Sequence, residues 1–289
     1  MSTHTHVVSE VQTGAQDAAK DAAVQAIPWV EKLARFGYAA KGVVYAVVGL
    51  LALQLAVGRG GEATGPEGAL VTIGQQAFGR TLLVVMAIGL LAYALWRFVQ
   101  AVVDPEHKGK DAKGLAQRAG YAVSGFTYGA LGLLAARMAL GQASGSSGGQ
   151  TQQDWTGRLL AQPFGVWLVA LIGLLIIGIG IYQFYYGVSG KFRSELKLHE
   201  MSHTAVTWAT RSGKLGYAAR GIVYAIIGGF FITAALRFDP SQAGGFGQAL
   251  AELARQPYGP WLLALVALGV FCYGIYSFVQ ARYRRIFAR

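Results

Sequence analysis

Six stretches of about 20 mostly apolar residues organise this chain: 36–57, 81–103, 120–140, 164–188, 216–236 and 260–281. Each is long enough to carry an α-helix across the hydrocarbon core of a bilayer. In a soluble protein, six such helices would need amphipathic partners to cover them, and the sequence between them supplies none. Composition agrees: 54% of the 289 residues are hydrophobic, only 13% are charged and the mean hydropathy is +0.40, which leaves too little polar surface for a water-facing fold. The chain is therefore read as an all-α membrane protein with six transmembrane helices. The residues before Phe36 lack the basic start, apolar middle and small-residue cleavage site of a signal peptide, so the first span is expected to insert uncleaved. The one cysteine, Cys272, lies in the sixth stretch and allows no internal disulfide.

A net charge of +11 raises nucleic acid as a partner, but the placement of the positive residues decides against it. Let the two termini and the connections after even-numbered spans share one side. The other side then holds only Arg59, Arg80, Arg137, Arg158, Arg237 and Arg255, six of the 25 Lys and Arg residues, leaving nineteen on the first. The positive-inside rule puts that richer side, with both termini, in the cytoplasm. The basic run Arg282, Arg284, Arg285 and Arg289, interleaved with Tyr283 and Phe287, is read the same way, as a contact for anionic headgroups rather than for nucleic acid.

One pattern opens each odd-numbered span. Gly37, Tyr38, Gly42, Tyr45 and Gly49 recur as Gly120, Tyr121, Gly125, Tyr128 and Gly132, and again as Gly216, Tyr217, Gly221, Tyr224 and Gly228. The even-numbered spans repeat less strictly. Phe78-Gly79, Phe164-Gly165 and Tyr258-Gly259 open them, and Phe98, Phe184 and Phe278 recur further along. Copies one and three also share Gly89, Tyr93 and Gln100 with Gly269, Tyr273 and Gln280, where copy two has drifted to Leu175 and Ile179 at the glycine and first tyrosine. The connection inside each hairpin is glycine-rich and predicts a short helix at the outer interface. The chain thus divides into a polar cytoplasmic tail (1–32), repeat one (33–104), a linker (105–114), repeat two (115–188), a second linker (189–211) and repeat three (212–285). Each repeat crosses twice, so all three copies share one orientation, and the simplest packing is a pseudo-threefold ring about the membrane normal.

The three Gly-Tyr-x-x-x-Gly-x-x-Tyr segments and the aromatic-Gly openings resemble the bacterial membrane family called domain of unknown function 1206, over residues 33–285. The resemblance implies a multi-pass protein of the bacterial inner (plasma) membrane. It carries no catalytic residues, since the family has no established activity.

Tyr38, Gly42, Tyr45 and Gly49 lie on one helical face, where glycine admits a neighbouring backbone and tyrosine fills the space beside it. Inter-repeat packing is the expected role of this face in all three copies; a groove or pore lined by the tyrosines is the alternative. Lys41 and Arg220 occupy the same motif position, and copy two has Ser124 there. A charge so near the start of a span can anchor at the headgroups, or, with Arg35, Arg118 and Lys214 at the same level, hold an anion. The spans 36–57 to 260–281 contain no Asp, Glu or His, which argues against ion-coupled transport and haem ligation. His199-Glu200-Met201-Ser202-His203 matches the His-Glu-x-x-His zinc motif but lacks a third ligand at the customary spacing; His107, Glu106 and Glu195 are the upstream substitutes. It is read first as a solvated linker helix. His4 and His6 belong to the tail, which is expected to stay mobile.

These residues support a non-enzymatic integral membrane protein that needs no cofactor and binds anionic lipid or scaffolds a membrane-protein partner. A passive pore or uncoupled carrier for a small anionic solute, and a zinc-dependent membrane protease, are the alternatives.

Overall fold

The computed structural model describes residues 3–106, 108–109, 111–142 and 148–286, with 3–27 and 148–151 as backbone. Six helices are long and apolar enough to cross a membrane. They are the second part of α1 (Thr3–Ala56), then α3 (Gly79–Val103), α4 (Ala112–Ala139), α6 (Gly165–Ser189), α7 (His203–Arg237) and α9 (Gly259–Tyr283). Helix is the form these runs must take, because hydrocarbon offers backbone amides no partner outside their own segment. Three shorter helices fill the connections within hairpins: α2 (Pro66–Gly74), α5 (Gly148–Leu160) and α8 (Phe246–Arg255). The two ends of the bundle are thus a hairpin end, with these short helices, and a linker end. Among the described residues there is no strand, only a single antiparallel bridge between Leu196 and Arg284.

Two expectations about polar segments change. The tail is helical from Thr3 and continuous with the first span, with Pro28 inside the helix; its alanine-rich sequence has high helix propensity. The second linker folds into two short 3₁₀ turns, Lys191–Glu195 and Leu198–Glu200, before Ser202 caps α7 by accepting from the Ala205 amide at 3.2 Å.

Each even-numbered span begins in the same unusual way. Phe78, Phe164 and Tyr258 are left-handed, with φ of 62°, 63° and 62°, a conformation that costs a bulky residue free energy. The glycine that follows explains it. A Cβ on Gly79, Gly165 or Gly259 would overlap the carbonyl of Gly74, Leu159 or Ala254 at the end of the short helix. The tight turn throws the aromatic ring outward, so that all three rings are about four-fifths exposed, at 85%, 79% and 81%, where an aromatic belt at the membrane surface would hold them.

The spans form an incomplete ring joined in the order α4, α3, α1, α9, α7 and α6, with no such junction between α4 and α6, and its tightest contacts are between consecutive hairpins, counting α9 against α1. The second motif glycine always meets the recurring phenylalanine of the preceding hairpin: Gly42 the Phe278 ring, Gly125 the Phe98 ring and Gly221 the backbone of Phe184. The third glycine meets the residue seven places earlier, Gly49 at Phe271, Gly132 at Leu91 and Gly228 at Ile177. Within hairpins one and three, a Cβ on Gly37 would stand 2.6 Å from the Tyr93 nitrogen, and one on Gly216 2.7 Å from the Tyr273 Cα. Gly89 and Gly269 return the contact against Ala40 and Ala219.

Hairpin two breaks this rule. Nothing lies within 4 Å of a Cβ on Gly120, and α4 and α6 barely touch. Their apolar windows are 28% and 22% buried, against 44% or more for the other four spans. The sequence supplies the reason: the glycine and alanine that close hairpins one and three are replaced by Leu175 and Val123, so hairpin two lacks the small-residue pair that admits a close approach.

Candidate functional site

Helical spacing brings a charged and aromatic cluster together in the linker half of the bundle. Tyr38, Lys41 and Tyr45 share a face of α1; Tyr93, Arg97 and Gln100 come from α3; Tyr217, Arg220 and Tyr224 from α7; Tyr273, Tyr276 and Gln280 from α9. Helix α4 adds Tyr121 and Tyr128. The rings pack edge to face, Tyr38 on Tyr93 at 5.1 Å, Tyr45 on Tyr273 at 4.9 Å, Tyr93 on Tyr128 at 4.7 Å and Tyr217 on Tyr273 at 5.4 Å between centroids. The Tyr128 hydroxyl donates to that of Tyr45 at 3.0 Å.

Three cations are set into these aromatic walls. Lys41 is only 1% exposed, and its Nζ lies 5.0, 5.0 and 4.9 Å from the Tyr38, Tyr93 and Tyr273 centroids. Its three N–H groups have three acceptors, the hydroxyls of Tyr93 at 3.4 Å and Tyr273 at 3.1 Å and Gln280 Oε1 at 3.4 Å. Arg97 stacks on Tyr93 and Tyr121 and donates to the Tyr93 hydroxyl and to Gln100 Oε1. Arg220 lies over Tyr45, Tyr224 and Tyr273, at 4.3 Å from the last, and donates to the Tyr224 hydroxyl at 2.6 Å. Its Nε is buried with no hydrogen-bond partner among the described residues. None of the three is ion-paired to a carboxylate among the described residues.

A fourth cation closes the linker end. Arg284, 2% exposed, pairs with Glu195 through Nη1 and with Glu106 Oε1 through Nη2 at 2.9 Å, and lies over the Tyr38 ring. The backbone reinforces this clasp, since the Lys197 amide donates to the Tyr283 carbonyl and the Arg285 amide to the Glu195 carbonyl. Burial alone would push the Glu106 carboxyl up, but Arg284 beside it, aided by Lys108 and Arg97, holds it down at about 2. Both carboxylates of the cluster pair with Arg284, and Glu106 also with Lys108 at 3.3 Å, so the charges of Arg97 and Arg220 are left without a carboxylate among the described residues.

The structure distributes the expected site residues over different tasks. Lys41 and Arg220 meet on the Tyr273 ring, whereas Arg35 and Arg118 serve helix ends. Arg35 donates to the carbonyls of Ala281 and Arg282 and pairs with Glu31; Arg118 donates to the carbonyls of Ala101 at 2.8 Å and Val102 at 3.0 Å. Those are terminal carbonyls that α9 and α3 cannot satisfy internally. Lys214, at the matching place in copy three, is exposed and brings its side chain near Gly190, just after α6. Sequence reasoning names Arg284 only among the headgroup contacts and Glu106 and Glu195 only as substitute zinc ligands, and it passes over Arg97 as a site residue. The recurrence of Tyr93 with Tyr273 and of Gln100 with Gln280 is the one signal that points to them.

The zinc motif forms no site among the described residues. His199 is the middle residue of a 3₁₀ turn, Met201 and Ser202 are extended, and His203 starts α7, so the two histidines share no helical face. Among the described residues no three His, Cys, Asp or Glu side chains converge. His107, Phe287 and Arg289, and the side chains of His4 and His6, lie outside the described residues.

Comparison with known proteins places this arrangement. The chain is similar to "Uncharacterized protein YxxB" of Bacillus subtilis (strain 168), 37% identical over 259 residues that cover 90% of this chain and 93% of the relative. No solved structure matches. The model of the family described as Domain of Unknown Function (DUF1206) matches three times in tandem, at 36–104, 119–190 and 215–284, each match enclosing one hairpin and its motif tyrosines. The chain belongs to the DUF1206 family.

Proposed function

We propose that this protein holds an anionic headgroup of the cytoplasmic leaflet in its tyrosine-walled cation cluster, acting as a lipid-binding protein rather than a catalyst. The observation that carries the reading is Arg220: among the described residues its guanidinium has one hydrogen bond, a buried Nε without a partner and no carboxylate, and it stands beside Lys41 and shares the cluster with the equally carboxylate-free Arg97. A buried positive excess attracts a counter-charge. Phosphate suits it, since arginine offers paired donors to its oxygens.

The surrounding architecture supports the reading. With the linker end cytoplasmic, as the nineteen-to-six charge division argues, the cluster lies at the leaflet richest in anionic lipid. The repeating glycine contacts support a pseudo-threefold packing about the membrane normal, which this reading sets in a bacterial inner membrane. The interior at the level of Tyr45 and Tyr128 is filled by packed rings, which favours a binding site over a passage for solutes.

The test is native mass spectrometry of the protein from phosphatidylglycerol-containing membranes, wild type against Lys41→Gln/Arg220→Gln. Each juxtamembrane cation contributes about 1 kcal/mol towards anionic lipid, so the double variant is expected to bind roughly thirtyfold more weakly. Arg220→Gln alone, which leaves the Lys41 hydrogen bonds intact, should lose part of that. Competition with inorganic phosphate separates the sources of the anion: displacement at millimolar phosphate assigns the site to a free anion instead. Equal lipid retention by folded wild-type and variant proteins would overturn the reading.

A further inference from the structure

We infer that the seam between α4 and α6 is the place where the acyl chain of this anionic phospholipid enters the protein, so that the lipid is held half inside the ring. The inference rests on the reading above, and adds where the lipid sits.

Three independent features lead to the seam. First, every other junction of the ring is packed, and this one is not. The residues that would close it by analogy with hairpins one and three are exposed and apolar: Val123 at 64%, Leu175 at 58% and Ile179 at 49%. Second, the cluster is shut elsewhere. The Arg284 clasp covers its linker end, and packed tyrosines lie on the side towards the hairpin end. Third, copy two lacks the parts that line the cluster in the other copies. Ser124 stands in place of Lys41 and Arg220, and Ile179 in place of Tyr93 and Tyr273. The wall facing the seam is therefore smaller and uncharged.

The cations flank that wall on both sides. Arg97 reaches α4 by stacking on Tyr121 at 5.1 Å, and Arg220 stands next to Gly221, whose backbone meets α6 at Gly180. A phosphate between them would meet Arg220 Nε, while the chain esterified below it would lie along Val123, Leu175 and Ile179 at hydrocarbon depth. A zwitterionic lipid satisfies the apolar groove but not the positive charges of Arg97 and Arg220, which have no carboxylate among the described residues, and this commits the occupant to an anionic one.

The experiment uses the full chain in phosphatidylcholine nanodiscs containing a phosphatidylglycerol with a photoactivatable diazirine in one acyl chain. Cross-links mapped by mass spectrometry should concentrate at least tenfold on residues 120–127 and 172–182 over equally exposed apolar positions elsewhere, such as Ile88 and Leu265. Excess unlabelled phosphatidylglycerol should compete, and phosphatidylcholine should not. Remodelling copy two on its neighbours, with Val123→Ala, Leu175→Gly and Ile179→Tyr, should let hairpin two close and lower seam labelling tenfold. If that variant does not fold, the wild-type map decides alone. Even labelling over the whole apolar surface, with phosphatidylglycerol still retained in mass spectrometry, would overturn the seam and leave the anionic site standing. Loss of any preference for phosphatidylglycerol in the wild type would remove both. Intermolecular cross-linking of Val123→Cys with Leu175→Cys by a short bis-maleimide, in a Cys272→Ser background, would assign the seam to a second copy and overturn the proposal.

Discussion

Adding a single methyl at Gly221 should cost more than the helix gains from it. A Cβ there would stand 2.7 Å from the Gly180 carbonyl oxygen and 2.9 Å from both Cβ and nitrogen of Phe184, two contacts with backbone that no rotamer can relieve. Ordinary contacts begin at about 3.5 Å, so α6 must retreat by about 0.8 Å, a gap that forfeits roughly a quarter to a half of the dispersion attraction between the atoms it separates. Overpacking of this kind costs about 1–3 kcal/mol, and alanine returns about 1 kcal/mol of helix propensity. Gly221→Ala should therefore be destabilised by up to about 2 kcal/mol. Gly229, on the same helix, has nothing within 4 Å of its would-be Cβ, so Gly229→Ala receives the propensity gain without the clash. Thermal unfolding in detergent, followed by circular dichroism, compares the two, at about 2–4 °C per kcal/mol for a chain of this order of size. If Gly221→Ala melts with or above Gly229→Ala, the tight α6–α7 approach is wrong.

Glu106, held at about 2, contributes stability that is fully present above the ordinary carboxylate value of 4.5 and is lost as pH falls towards 2. The shift corresponds to about 3 kcal/mol, so Glu106→Gln should be less stable than wild type at pH 7 and the difference should vanish near pH 2 in denaturation curves. Arg118→Ala should leave the Ala101 and Val102 carbonyls without their donor and lower stability by about 1 kcal/mol in the same assay. For orientation, single cysteines at the exposed positions Gly109 and Asp154, in a Cys272→Ser background, should label oppositely with an impermeant reagent; equal labelling from outside refutes a cytoplasmic linker end.

The six spans are legible in the sequence because hydrocarbon imposes one requirement, uninterrupted apolar helix, that a window of residues can meet alone. The hairpin repeat is legible because close helix contacts demand glycine at fixed spacing, as Gly42, Gly125 and Gly221 display. The site is not legible to the same degree. Lys41 is marked by its charge, but whether it anchors at headgroups or is buried depends on Tyr93, Tyr273 and Gln280 arriving from two other helices. Arg284 reads as one more basic residue after the last span; only the fold brings it Glu195 and Glu106 from 89 and 178 residues away. The open seam is present in the sequence as drift at Leu175 and Ile179. Its meaning depends on Val123 across the hairpin, a pairing that no single helix reveals.

The junction of α1 with α9 sets an order on biogenesis. The first span leaves the translocon carrying Lys41, two of whose three acceptors, Tyr273 and Gln280, sit on the last span to be synthesised. Until α9 is made, that ammonium is expected to stay near the membrane surface, with α1 displaced towards the linker end or tilted. Insertion of the sixth span then draws the first to its final depth. Ribosome-tethered intermediates truncated before α9 should accordingly expose α1 to a membrane-impermeant reagent that the finished protein excludes.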